Sequence, residues 1–159
     1  MEWDKKYAFF DKFTESGIKV IILAQQEARD FRRKAVEPEH LLLGIIGEKR
    51  SDASQVLQSA GLTLKTSRNI LKEYAPEKDE YTFFERIFPW NVLIPFTEES
   101  KSALKGSWRF AQDLDSRVIR PKQILLALLE SKHEKISELL EKQGVNVAEI
   151  KSSLLKRAN

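Results

Sequence analysis

The sequence predicts an all-α fold of eight helices, arranged as two pseudo-twofold-related four-helix units. Three observations predict it. First, the chain repeats itself at one fixed spacing: Phe96-Thr97-Glu98 follows Phe13-Thr14-Glu15 by 83 positions. The same spacing carries Pro38 to Pro121, Ala28 to Ala111, Asp30 to Asp113, Leu57 to Leu140, Gly61 to Gly144 and Leu71 to Leu154. A repeat of this kind sets the architecture before any local feature does. Second, apolar residues recur at helical spacing along both units. Third, no stretch alternates at period two for long enough to make a sheet. The expected organisation is one domain over residues 1–159, with repeat one at 13–75, a connector at 76–95 and repeat two at 96–158. Units of this size are marginal cores alone, so they should share one.

Residues 1–12 carry Trp3, Tyr7, Phe9 and Phe10 among charges, and an aromatic end of this kind is expected to pack back on the body rather than dangle. Thr14 can cap the first helix through its hydroxyl, with Glu15 at the positive helix end. Ile18, Ile21, Ile22, Gln25, Ala28 and Arg29 then fall on one helical face. The helix is expected to end near Arg32-Arg33-Lys34, where cations suit the negative end. Pro38 takes the first position of the next helix, where a missing N–H costs nothing. Leu41, Leu42, Leu43, Ile45 and Ile46 make that helix apolar nearly all round, hence central. A third helix runs from about 52 to 60 and stops at Gly61. A fourth runs from about 63 to 74. In repeat two the helices are expected from Thr97 to about 115, from 121 to about 131, from about 134 to 143 and from about 147 to 157.

The connector holds Tyr81, Phe83, Phe84, Phe88 and Trp90 between Pro76, Pro89 and Pro95. A flexible linker would be rich in Gly and Ser. This one should fold onto the body, either as a cover for the bundle or as a docking surface centred on Phe84, Phe88 and Trp90.

Composition excludes several functions. There is no cysteine, hence no disulfide or thiolate metal site. The net charge is +3, from 27 basic and 24 acidic residues that are interspersed, which argues against nucleic acid as the partner. No apolar run reaches a membrane span, and no secretory leader opens the chain. His40 and His133 are the only histidines and occupy non-equivalent repeat positions, so no metal is expected. No nucleophile, acid–base pair or phosphate loop stands out, so neither an enzyme nor a cofactor is expected. The basic run Arg29 to Lys34 is either a solvated helix end or a contact for an acidic partner.

Phe13-Thr14-Glu15, Ala24-Gln25-Gln26-Glu27-Ala28-Arg29, Glu39-His40-Leu41-Leu42-Leu43-Gly44-Ile45 and the Gly61 turn resemble the Clp N-terminal (double Clp-N) domain, most nearly the ClpC type. The resemblance runs from about Phe10 to Ala158, more strongly in the first repeat. It implies a module that binds substrates or adaptors, with Clp unfoldase or protease-core subunits, adaptors or clients as partners. It also implies a cytoplasmic protein, or a stromal one in a plant or alga. The motor is absent from this chain. Its own Met1, its long lead and its aromatic connector favour a free-standing ClpT-type accessory protein over an excised N-domain of a ClpC-type unfoldase.

The resemblance also implies a site. In ClpC-type domains each repeat supplies a threonine near its start and a Gly-Thr-Glu-His segment at its second helix, and the pockets so formed recognise phosphoarginine. Here repeat one keeps Thr14, Glu39 and His40, but Glu37-Pro38 replaces Gly-Thr. Repeat two keeps Thr97, while Lys122 and Gln123 replace the glutamate and histidine. A lysine cannot pair a guanidinium, so the second pocket should no longer read phosphoarginine and the first should be compromised. Thr14, Glu37, Glu39, Thr97 and Lys122 are expected to converge near the pseudo-twofold axis. His40 is expected as a hydrogen-bonded histidine at a helix start.

Overall fold

The structure is a computed structural model that describes residues 8–74 and 93–157. A 3₁₀ turn at Phe10–Lys12 leads into α1 (Glu15–Asp30), α2 (Pro38–Glu48), α3 (Asp52–Ser59) and α4 (Leu64–Tyr74). After the connector come α5 (Glu98–Asp113), α6 (Pro121–Glu130), α7 (Glu134–Lys142) and α8 (Val147–Lys156). Among the described residues there are eight α-helices and no strand, as the sequence predicts.

The capping residues explain the boundaries. Thr14 accepts the Gly17 N–H at 3.1 Å, and Thr97 accepts that of Ser100 at 3.2 Å. Ser51 caps α3 from Ser54, and Asn146 caps α8 from Ala148 and Glu149. Gly61 and Gly144 take left-handed φ of 92° and 67°, a conformation that favours glycine. α1 ends at Asp30, short of the expected basic run, because Arg32 already turns left-handed at φ 55°.

α1 packs on α2 and α5 on α6, and the two pairs share a core. Leu41, Leu42, Leu43 and Ile45 of α2 are fully buried with Ile124, Leu125 and Leu128 of α6. α3 lies against α6 and α8, and α4 against α7, so every layer crosses from one repeat to the other. α1 sits so near α2 that a Cβ on Gly44 would come within 2.5 Å of the Val20 carbonyl oxygen. One residue departs from its expected place. Ile22 falls on the apolar face by spacing but is 61% exposed, because Val20, Ile21, Ala24 and Ala28 already fill the contact with α2.

The two repeats are stitched by exchange. Phe13 bridges Ile119 in parallel register, and Val36 bridges Phe96. Adding 83 turns one bridge into the other with its partners swapped. Each repeat thus begins against the segment that opens the other repeat's second helix. A further clamp holds the end of the connector: Gln25 donates to the Ile94 carbonyl and accepts its N–H, both at 2.8 Å.

Candidate functional site

The exchange assembles two composite sites. In the first, Thr14 faces the start of α6. The Thr14 N–H donates to the Ile119 carbonyl at 3.0 Å, and its hydroxyl donates to the same oxygen at 3.4 Å. Thr14 and Ser16 of α1, Ser51 and Asp52 of α3, and Arg120, Pro121 and Lys122 of α6 line a cavity of about 220 Å³. Lys122 is buried and donates to the Arg157 carbonyl at 2.7 Å. Arg157 in turn pairs with Asp52 at 3.3 Å. Burial pulls the Lys122 ammonium below its ordinary value, Asp52 pushes it back up, and Arg120 adds to the depression. The Arg120 side chain donates to the Ser116 hydroxyl at 3.2 Å, while its backbone N–H donates to Gln123 Oε1 at 2.8 Å.

In the second site, Thr97 meets the start of α2. Its N–H donates to the Val36 carbonyl at 3.1 Å, and the Ser100 hydroxyl donates to the same oxygen at 2.7 Å. His40 Nδ1 accepts the Glu37 N–H at 2.9 Å, the role Gln123 plays in the first site. That bond requires a neutral ring with its proton on Nε2. Burial pulls the His40 pKa down to about 4, with Lys135 and Arg33 adding to the fall and Glu37 opposing it. Glu39 is buried, and Lys135 Nζ donates to its Oε1 at 3.0 Å while lying 3.6 Å from Glu37 Oε1. Burial raises the Glu39 pKa, Glu37 adds to the rise, and Lys135 opposes it. Glu39 Oε2 and His133 Nδ1 stand 4.0 Å apart, both buried without a hydrogen bond. Ligand atoms of Glu37, Glu39 and His40 lie within 4.8 Å of one another. The Lys135 ammonium contacts both carboxylates and His40 Nδ1 is committed to the backbone, so the set is held together as a salt-linked helix start in which Glu39 Oε2 alone lacks a hydrogen bond.

Each threonine meets the start of the other repeat's second helix. Thr14 joins Arg120 and Lys122, and Thr97 joins Val36 and Glu37, because the parallel bridges swap partners. His40 is the hydrogen-bonded helix-start histidine that the sequence predicts. Phe84, Phe88 and Trp90 lie outside the described residues. Four participants are missed by sequence reasoning: Asp52, Arg120, Lys135 and Arg157. The repeat spacing carries the signal for three. It sets Glu37 against Arg120, Glu39 against Lys122 and Asp52 against Lys135, a charge reversal at each pair.

The sequence matches the family described as the Clp repeat (R) N-terminal domain over residues 12–82 and again over 95–159. The chain belongs to the Clp N-domain family. Relatives include a ClpA homolog from Trieres chinensis, 34% identical over 146 residues and 92% of this chain. Chaperone protein ClpC1 of the Arabidopsis thaliana chloroplast is 34% identical over 94% of this chain. The chain spans only 16% and 15% of those relatives' lengths. The N-terminal domain of ClpD from Arabidopsis thaliana superposes with a TM-score of 0.75 at 23% identity, over 93% of this chain and 95% of that one. A ClpV N-domain solved in complex with a VipB peptide gives a TM-score of 0.65 at 21% identity, over 98% of this chain and 91% of that one. Among the described residues no helix is long and apolar enough to cross a membrane.

Proposed function

We propose that the chain is a non-catalytic protein-interaction module of the Clp protease system, an accessory or adaptor subunit that binds the Clp complex or its clients. The family match over both repeats carries this reading. The complex of a ClpV N-domain with a peptide adds that the same fold has served as a peptide receptor. A second reading, the substrate-binding N-domain of a ClpC-type unfoldase, draws on the 34% identity to chloroplast ClpC. In either reading residues 1–159 act as one unit, with the connector aromatics Phe84, Phe88 and Trp90 as a second contact surface. The location is the cytoplasm, or the stroma in a plant or alga.

Phosphoarginine recognition is reduced or lost. The first site offers Lys122 where a carboxylate would hold the guanidinium, and the second commits Glu39 to Lys135. Titration with a phosphoarginine peptide tests this, and affinity that vanishes in Lys122→Ala would overturn it. The wider reading is tested by capture from the source lysate with the tagged chain and a Glu39→Ala/Lys122→Ala pair. Recovery of Clp subunits, lost with the double variant, is the expected result. Clients without Clp subunits favour the unfoldase reading, and neither class retained overturns both.

A further inference from the structure

The salt-linked start of α2 has one open end. Glu39 Oε1 accepts from Lys135, while Glu37 Oε1 lies 3.6 Å from Lys135 Nζ and Glu37 Oε2 lies 3.3 Å from Arg33 Nε. Glu39 Oε2 has no hydrogen bond, although its side chain is only 5% exposed. A buried carboxylate oxygen in that state is costly, and a donor would relieve it. His133 Nδ1 faces it at 4.0 Å and is also buried without a hydrogen bond. His133 is the N-cap residue of α7, yet its ring makes no cap bond to its own helix. The ring turns instead to α2, which belongs to the other repeat.

We propose that Glu39 Oε2 and His133 Nδ1 hold one proton between them and so form an acid-operated latch between the two repeats. A neutral imidazole has a single N–H, whereas the charged ring always presents one at Nδ1. The two atoms stand about 1 Å beyond the length of a charged N–H···O bond, a distance that a small turn of the ring closes. One proton comes from solvent, reached through the 19% of the His133 side chain that is exposed, and one N–H···O bond forms. The charged and titratable groups facing the pair are Glu37 and His40 of the α2 start, Arg33 ahead of it and Lys135 of α7. Glu37 and Glu39 balance Arg33 and Lys135, so the added charge meets no net repulsion. His40 does not compete, because its Nδ1 accepts the Glu37 N–H and burial holds its pKa down to about 4.

The twin site is the internal control. At the repeat spacing Glu39 corresponds to Lys122, His133 to Arg50 and Lys135 to Asp52. Lys122 donates to the Arg157 carbonyl and Arg50 is exposed, so two cations occupy the places of the pair and no proton can be shared there. α3 nevertheless packs on α6 as α7 packs on α2. The crossing of the repeats is therefore built without the latch, and the latch adjusts it.

Two measurements on the full chain test it. The first is an NMR titration of the His133 ring from pH 8 to 5. His40→Gln leaves His133 as the only histidine, so its signals stand alone. Glu39→Gln in that background should move the midpoint of the ring signals down by about one pH unit, the scale of one charged hydrogen bond. A midpoint that Glu39→Gln leaves in place overturns the proposal. The second is a double-mutant cycle of Glu39→Gln and His133→Ala, read by urea unfolding. The two changes should couple by about tenfold in the unfolding constant at pH 5.5 and by little at pH 8, since the bond is present when the proton is bound and lost as pH rises. Coupling that is equal at the two pH values, or absent at pH 5.5, overturns the latch. Loss of a merely structural contact would lower stability without that dependence on pH.

Discussion

The two crossed sites share a backbone and differ in what their charges do. At the second site a buried carboxylate, Glu39, is answered by Lys135, and a buried imidazole satisfies the Glu37 N–H. At the first site a lysine takes the carboxylate's position and is answered by a carbonyl and, at a remove, by Asp52. The second site is closed electrostatically and the first is not. A duplicated fold can therefore keep one copy as structure and leave the other free to change partner, because helix-start geometry survives while the side-chain charge is exchanged.

The largest way to test this difference is acid. His40 has a folded pKa of about 4 and an ordinary value of 6.5, so the unfolded chain binds a proton that the folded one refuses. This contribution to stability is complete above about pH 6.5 and is lost as pH falls towards 4, by up to about 3 kcal/mol. Glu39 acts in the opposite sense. Its raised pKa costs stability above the unfolded value, and that cost is relieved as pH falls. His40→Gln installs the residue of the twin and should remove the His40 share alone. Thermal melts of both proteins between pH 7 and 4.5 should therefore converge on the acid side for the variant, and parallel curves would refute the assignment.

Lys135→Ala comes next. It leaves Glu39 buried without its cation, and urea unfolding at pH 7 should show a loss of about 2–3 kcal/mol that shrinks at lower pH. Its twin, Asp52→Ala, removes a group that is 44% exposed in its side chain, and it should cost under about 0.5 kcal/mol. Equal losses would erase the distinction between the sites. The cap threonines should be nearly alike: Thr14→Ala and Thr97→Ala each cost about 1 kcal/mol, read from the same unfolding curves. A clear gap between them would mean that the Ser100 bond to Val36, absent from the first site where Gly17 stands, reinforces one cap only.

Much of the fold was legible in the sequence. The helices, the Thr14 and Thr97 caps, the prolines at 38 and 121 and the glycine stops all have local causes, and they lie where spacing puts them. The crossing was not legible. A constant offset states that Thr14 corresponds to Thr97, but an exchanged and an unexchanged pairing have the same offset. Only the Phe13–Ile119 and Val36–Phe96 bridges distinguish them. Lys135 was missed for the same reason. It lies 96 positions from Glu39, and nothing local to either residue points to the other. Ile22 shows a limit of a different kind, since periodicity gives a face its width but not the width its neighbour covers.

The exchanged bridges also fix an order of events during synthesis. Thr14 finds the Ile119 carbonyl 105 residues away, so α1 cannot dock its own start until most of the chain has left the ribosome. Val36 needs only Phe96, and that bridge can close first. Contacts of such separation form slowly, since the loop must be closed before they stabilise anything. The Val36–Phe96 bridge is therefore expected to form before the Phe13–Ile119 bridge. Pulsed hydrogen exchange during refolding should protect the Thr97 amide ahead of the Thr14 amide.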